Sequence, residues 1–269
     1  MKYTAIEIAR ENEVMIIRLN RPERMNAVNE AMYTEIQDVL NKTGADHEIR
    51  SLIITGSVLK RHCVEKQAFC AGADLKDHSS GRRDQAARRA YIELAHETTR
   101  MIYSYPKPTI AAVNGPARGA GLEMAINCDF ILMAETATMA FTEVGLGTFV
   151  GGASTSLLPT LIGMTKAKEL IYTCKVIDGN QALALGLASR TVPVAQLTEA
   201  ALSLANELSE KAPISMRMAK NLLHSSRLYD IETALKHETE AILACMETED
   251  WHEGIRAFAE KRKPVYTGK

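Results

Sequence analysis

The sequence contains little cysteine, and the few it has are scattered. Five cysteines occur in 269 residues and none forms a CxxC pair, which is unlike the paired framework of a small secreted domain. We therefore expect reduced thiols and a cytoplasmic protein. His62, Cys63, Cys70 and His78 come close together in the chain but match no common zinc spacing, so no metal site is predicted.

Long apolar runs and an excess of charge of one sign are also lacking. No run approaches the roughly 18 residues needed to cross a bilayer. The start, MKYTAIEIARENEV, has early acids and no long apolar segment, so we expect neither a signal peptide nor a transit peptide. The net charge is -1, so no broad basic surface for nucleic acid is expected. We predict neither a membrane nor a nucleic-acid partner.

What the sequence does have is an alternation of strand and helix patterns. Runs rich in β-branched residues at 14–22, 51–56, 109–115 and 130–135 end in turn residues and predict strands. Helical patterns at 29–43 and 84–105 lie between them. This order predicts an α/β fold. After about residue 193 only amphipathic helical patterns follow, so we predict an α/β core at 1–193 and a helical region at 194–269.

The last of these helical patterns begins at EDWHEG. Asp250 is predicted to be its N-cap residue, with Glu253 as the capping-box partner three residues later.

Two glycine-containing loops follow two different predicted strands. NGPARGAGLEMAINCDF at 114–130 contains Gly119, Ala120 and Gly121, and AFCAGADLKD at 68–77 contains Gly72 and Ala73. Residues without a large side chain let the backbone approach a ligand closely. One main-chain N–H from each loop could stabilise the oxygen of a thioester or ester carbonyl. Two unrelated tight turns are the alternative at this point.

Two glutamates lie in apolar surroundings. Glu123 precedes MAINC, and Glu143 lies within MAFTEVGLG. A buried carboxylate is costly unless it is paired or neutral, so such glutamates are functional or hydrogen-bonded. Two carboxyls in one cleft can divide proton transfers, one accepting from water and the other donating to carbon.

These motifs together resemble the crotonase superfamily, and most of all its enoyl-CoA hydratases. The similar stretches run along nearly the whole chain: LNRPERMNAV, AFCAGADLKD, PKPTIAAVNGPARGAGLEMAINCDF, AFTEVGLG and EDWHEGIRAFAEKRKPVY. Each motif is moderately specific alone. Their occurrence in the family's order makes the resemblance strong.

The resemblance implies a spiral of ββα units followed by a helical trimerisation region, assembled as a trimer or hexamer. The implied substrate is an acyl-CoA thioester of fatty acid metabolism, with coenzyme A as part of the substrate and no other cofactor. Ala73 and Ala120 match the positions whose N–H groups hold the thioester oxygen. Glu123 and Glu143 match the two catalytic acids. The implied activity is enoyl-CoA hydratase, a hydro-lyase.

The resemblance also implies contacts to the substrate from three places: the loop after the first strands, the AGADLK loop, and the end of the chain, which often reaches a neighbouring subunit's site. The predicted substrate-binding residues are Arg24, Ala71, Asp74, Leu75, Lys76, Phe258 and Lys261. Solvated surface charge is the alternative for Arg24, Lys76 and Lys261, and a core position for Phe258.

Other reactions use the same oxyanion hole in this superfamily: double-bond isomerisation, thioester hydrolysis, decarboxylation and dehalogenation. The presence of both Glu123 and Glu143 favours the hydratase. A non-catalytic CoA- or RNA-binding relative is the remote alternative, because such proteins often lose one or both acids.

Three departures leave the acyl group open. The segment 57–67 is longer than usual, Arg118 takes an often apolar position, and Val150 stands where proline is common. The variable helical segment around 81–100 aligns with a region that often lines the acyl pocket.

Overall fold

The computed structural model describes residues 3–61, 64–74 and 84–269. Leu75 and Lys76, predicted to bind substrate, lie outside the described residues, as do His62, Cys63 and His78.

A six-stranded sheet forms the core of the molecule. Its strands occur in the spatial order β1-β2-β3-β6-β8-β11; β1 pairs antiparallel with β2, and the other neighbours are parallel. Their bounds are β1 Ile6–Glu11, β2 Val14–Leu19, β3 Ser51–Gly56, β6 Thr109–Val113, β8 Phe130–Ala134 and β11 Arg190–Val192. Four of these strands confirm the predicted ones. β6 is buried at every position, as expected for a strand covered on both faces.

Shorter strands lie outside this sheet. The bounds are β4 Val58–Arg61, β5 Val64–Gln67, β7 Ala117–Arg118, β9 Thr138–Ala140 and β10 Ile177–Asp178. β7, β9 and β10 form a second sheet in the order β10-β9-β7. β4 and β5 pair antiparallel, so the long 57–67 segment contains two paired strands that follow β3.

The helices follow the strands in the ββα order. Their bounds are α1 Glu30–Gly44, α2 Gln85–Tyr103, α3 Ala120–Ile126, α4 Ser154–Ile162, α5 Met164–Thr173, α6 Gly179–Ala184, α7 Leu197–Ser209, α8 Pro213–Ser225, α9 Ile231–Met246 and α10 Glu249–Glu260. β6, β7 and α3 make one ββα unit, and β8, β9 and α4 make the next. Because β6 and β8 are parallel neighbours, the two units place their turns at the same edge of the sheet.

The helical region begins against the sheet. α7 packs on β3, β6 and β8 and buries Leu197, Ala201, Leu204 and Ala205, so this helix contributes to the core although it follows residue 193. The last described strand ends at Val192, in agreement with the predicted end of the strands. The division at 193 stays a prediction.

The prediction for the start of the last helix is wrong. Thr248, not Asp250, is the N-cap residue of α10, and its side chain accepts a hydrogen bond from the Trp251 N–H. The buried Asp250 carboxylate instead accepts from the N–H groups of Thr267 and Gly268 at 2.7 and 2.9 Å. Thr and Asp are both preferred N-cap residues, and the return of the chain's end over α10 decides between them.

Asp129 connects the helical region to the edge where α3 ends. Its carboxylate accepts from the Thr109 N–H at 2.8 Å and from the Lys220 ammonium at 2.8 Å. Both members of this ion pair are largely buried, so α8 is anchored beside the turn that follows α3. Within the described ranges, no helix has the length and apolar content needed to cross a bilayer.

Candidate active site

The loop 70–73 lies between the chain at Val28 and the second glycine-containing loop, which begins at Ala117. The Ala73 N–H points away from Val28. Val28 donates its N–H to the Gly72 carbonyl at 2.8 Å, and its own carbonyl accepts from the Asp74 N–H at 3.0 Å. Successive peptide groups of an extended chain point to opposite sides. The N–H of Ala73 therefore points away from Val28, toward the side where the second loop lies.

The second loop is joined to the first by backbone contacts. Cys70 and Ala117 form a parallel β-bridge, and a Cβ built on Gly72 would lie 3.9 Å from the Ala120 nitrogen. Ala120 is the first residue of α3, where an N–H has no intrahelical acceptor. Within the described residues, neither the Ala73 nor the Ala120 N–H donates a hydrogen bond. Two neighbouring main-chain donors are thus available, as an oxyanion hole requires.

Glu143 lies directly against this second loop. A Cβ on Gly119 would be 2.3 Å from Glu143 Oε1, and Gly119 has a φ of +46°, so only glycine fits there. Glu143 Oε2 is buried and has no hydrogen-bond partner among the described residues. Burial raises the pKa of this carboxyl, which favours the protonated form. A carboxylic acid in this state can donate a proton.

Glu123 lies on α3, one helical turn after Gly119. Its N–H donates to the Gly119 carbonyl, and its Oε1 accepts from the Gly151 N–H at 2.6 Å. Burial raises the pKa of Glu123 to about 7; the Gly151 N–H opposes this rise, and the nearby Glu143 adds to it. A carboxyl that titrates near neutrality can serve as a general base.

A glycine pair packs over Glu123. A Cβ on Gly151 would lie 3.0 Å from Glu123 Oε2, and one on Gly152 would lie 2.8 Å from Glu123 Cβ. The Asn127 side chain donates to the Gly152 carbonyl at 2.7 Å, and the Ser154 hydroxyl donates to the Gly151 carbonyl at 2.7 Å. These contacts hold the backbone that presents an N–H to the carboxyl.

Sequence reasoning did not identify these supporting residues. The glycine doublet in GTFVGGAST was the available signal for Gly151 and Gly152. His96 was also missed: its Nε2 lies 3.1 Å from the position of a Gly151 Cβ. No pattern in the sequence points to His96, because only the packing of α2 brings it beside this loop.

The predicted substrate contacts near the first loop are only partly free to bind. The Ala71 N–H already donates to the Met25 carbonyl at 3.0 Å, and the neighbouring Arg24 is exposed. The Asp74 carboxylate is buried and forms an ion pair with the Arg21 guanidinium at 2.9 Å. This ion pair connects the end of the 70–73 loop to the segment that follows β2. Substrate binding by these residues stays a prediction.

The predicted contacts from the end of the chain lie apart from the cleft in this single chain. Phe258 is 87% exposed, and Lys261 ends α10. Among the described residues, no hydrogen bond or ion pair joins either of them to the two loops or to the two glutamates. Within the same ranges no group of three His, Cys, Asp or Glu residues could hold a metal ion.

The chain is similar to known proteins over its whole length. The family model described as "Enoyl-CoA hydratase/isomerase" matches residues 9–269. The chain is 35% identical to the crotonyl-CoA hydratase of Syntrophomonas wolfei over 100% of both proteins. It is 33% identical to the short-chain-enoyl-CoA hydratase of Clostridium acetobutylicum, over 98% of the chain and 97% of the relative.

A crystal structure of an enoyl-CoA hydratase from Bacillus anthracis is similar in fold. It has a TM-score of 0.92 and 36% identity, covering 99% of this chain and 100% of that one. This likeness confirms the α/β fold class expected from the sequence motifs.

The burial of Glu123 predicts a dependence of stability on pH. Its folded pKa of about 7 lies above the unfolded value of about 4.3, so the folded state binds more protons between these values. Stability should therefore fall as pH rises from about 4 to 7. Replacing Glu123 by Gln removes this loss, and the variant should exceed the wild type in free energy of unfolding by about 3–4 kcal/mol at pH 8.

Denaturant unfolding at pH 8 and pH 4.5 measures this difference, which should nearly vanish at the lower pH. Glu199→Gln, at an exposed position of α7, is the matched control. A Glu123→Gln variant less stable than the wild type at pH 8 would contradict the burial argument.

Proposed function

The chain belongs to the enoyl-CoA hydratase/isomerase family, and on that premise we propose that it adds water across the α,β double bond of an enoyl-CoA thioester. The observation that supports this most is the placement of two buried carboxyls, Glu123 and Glu143, beside two unoccupied main-chain donors. The reaction needs no cofactor, since coenzyme A is part of the substrate.

In the proposed mechanism the N–H groups of Ala73 and Ala120 bind the thioester oxygen. This polarises the conjugated system, so the β-carbon becomes electrophilic and negative charge develops on the oxygen. Water attacks the β-carbon and loses one proton to the Glu123 carboxylate. The Glu143 carboxyl delivers its proton to the α-carbon. Water is thereby added as a hydroxyl and a hydrogen, and the reverse reaction exchanges the two roles.

The hydrogen bonds support this division of roles. Both carboxyls have raised pKa values, and two neighbouring carboxyls resist carrying a charge each. The Gly151 N–H stabilises the ionised form of Glu123. The backbone at Thr142 and Glu143 opposes the rise in the pKa of Glu143, but Glu143 Oε2 lacks a donor within the described residues. We propose that the pair carries one negative charge and that this charge lies on Glu123, as a base for water requires.

Glutamine variants test the activity. Glu123→Gln and Glu143→Gln should each lower kcat for hydration of crotonyl-CoA by about 10²- to 10⁴-fold, the usual contribution of general acid–base catalysis. Loss of the ultraviolet absorbance of the conjugated thioester measures the rate, and calorimetry with coenzyme A should show unchanged binding.

Glu199→Gln serves again as the exposed control and should keep the wild-type rate. Full activity in either glutamine variant at 123 or 143 would reject the assignment. A parallel assay with a β,γ-enoyl-CoA measures the isomerase alternative in the same preparations.

The main-chain donors can be tested separately at Ala120. Because Ala120 is the first residue of α3, proline is tolerated there but removes the N–H. Ala120→Pro should lower kcat for hydration by about 10²- to 10³-fold, as the loss of one oxyanion-hole donor does. Ala120→Gly keeps the N–H and is the matched control. Equal rates for the two variants would show that this N–H does not stabilise the oxyanion.

We also propose that the chain assembles as a trimer or hexamer through its helical region. α9 carries an exposed apolar stripe at helical spacing that includes Leu235 and Ile242, which are 57% and 59% exposed. α10 adds Phe258, at 87% exposed. Contiguous exposed apolar surface of this kind is typical of association sites. A neighbouring subunit seated there would also bring Phe258 and Lys261 toward a second cleft.

Charge placed on the stripe should disrupt this assembly. Analytical ultracentrifugation of the wild type should give three or six times the chain mass of 29.6 kDa. The double variant Leu235→Glu/Ile242→Glu should sediment as smaller species, because burying an unpaired carboxylate is costly. Glu240→Gln, on an exposed polar position of α9, should leave the mass unchanged. A monomeric wild type would exclude the proposed assembly.

Localisation and pathway are part of the same proposal. Four cysteines of the described part of the chain, at positions 70, 128, 174 and 245, are free thiols, in keeping with a reducing compartment. We propose a cytoplasmic enzyme of fatty acid metabolism that acts on acyl-CoA without a membrane or nucleic-acid partner.

A further inference from the structure

His96 lies beside the glycine that covers Glu123. A Cβ on Gly151 would be 3.0 Å from Glu123 Oε2 and 3.1 Å from His96 Nε2. The carboxylate and the imidazole therefore lie next to the same point in space. Any side chain at 151 would fill the gap between them, so glycine keeps this gap open.

The groups of the cleft follow an order that matches the order of atoms in the substrate. Ala120 adjoins Gly119, which lies against Glu143. Glu123 comes one helical turn after Gly119 and adjoins Gly151, which His96 also adjoins. If the thioester oxygen is at Ala120, the α-carbon near Glu143 and the β-carbon near Glu123, the next carbons of the acyl chain reach His96. This step rests on the proposed function.

The imidazole is free to bind a ligand. His96 is exposed, and its ring has no hydrogen bond or ion pair with any residue of the described ranges. On the same helix Arg89 pairs with Glu93 and Arg100 pairs with Glu97. His96 can therefore supply a hydrogen bond from this helix, or a positive charge when protonated.

The nature of the side chain indicates what it would bind. A purely aliphatic acyl tail needs only apolar walls. An imidazole nitrogen in that place gains little from such a tail, but it stabilises an oxygen acceptor, and a carboxylate most of all.

We propose that His96 forms a hydrogen-bonding subsite past the β-carbon, and that the acyl groups hydrated here carry a carboxylate one or two carbons beyond it. The product would then be a hydroxyacyl-CoA with a free carboxylate at the other end of its chain.

Matched substrates test this subsite. Glutaconyl-CoA carries a terminal carboxylate, and 5-methylhex-2-enoyl-CoA replaces that carboxylate by an isopropyl group of the same shape. We expect the wild type to have a higher kcat/KM for glutaconyl-CoA. In His96→Leu the ratio of the two kcat/KM values should fall by about 10- to 100-fold, as when a hydrogen bond to a charged group is lost. His96→Gln should restore part of the ratio.

Two controls separate the outcomes. Arg89→Leu, two turns away on α2 and exposed, should keep the wild-type ratio. Calorimetric Kd values for glutaryl-CoA and 5-methylhexanoyl-CoA, which cannot be hydrated, report the same preference without catalysis. An unchanged ratio and unchanged relative Kd values in His96→Leu would overturn the subsite. A wild type that hydrates none of these thioesters, nor crotonyl-CoA, would instead overturn the proposed function.

Discussion

The candidate site depends on two carboxyls being buried next to each other. Burial of Glu123 and Glu143 is unfavourable for the charged forms, and each is accommodated because the chain leaves out side chains around it. Gly119 makes room for Glu143, and Gly151 and Gly152 make room for Glu123. The Gly151 N–H then offers one hydrogen bond to the ionised form. The unfavourable free energy of burying the charged forms is not fully offset, and it raises the pKa values of both carboxyls.

The topology brings these glycines together from distant parts of the chain. The loop at 70–73 comes after β3 and the β4–β5 pair, the segment at 117–120 follows β6, and the segment 143–152 comes after β8 and β9; β3, β6 and β8 are parallel neighbours. Parallel neighbours in a sheet end at the same edge, so successive ββα units place these turns side by side. The ion pair between Asp129 and Lys220 anchors the helical region next to the same edge.

Local patterns predicted the elements well where they depend on local forces. The strands at 51–56 and 109–113 and the helix at 30–44 match the expectations within a few residues, because burial follows directly from their runs of apolar residues. The predicted start of α10 was wrong because Thr248 and Asp250 are both good N-cap residues. Only the return of residues 267–268 over the helix distinguishes them.

The sequence by itself determined the α/β order, the two glycine-containing loops and the two glutamates in apolar surroundings, because these are properties of neighbouring residues. The tertiary structure decided which groups share one cleft. It placed Ala120 beside the first loop and paired the Asp74 carboxylate with Arg21. It also placed His96 next to Gly151, although the two residues are more than 50 positions apart in the chain. Contacts between distant segments depend on how whole elements pack, and no spacing along the chain records that packing.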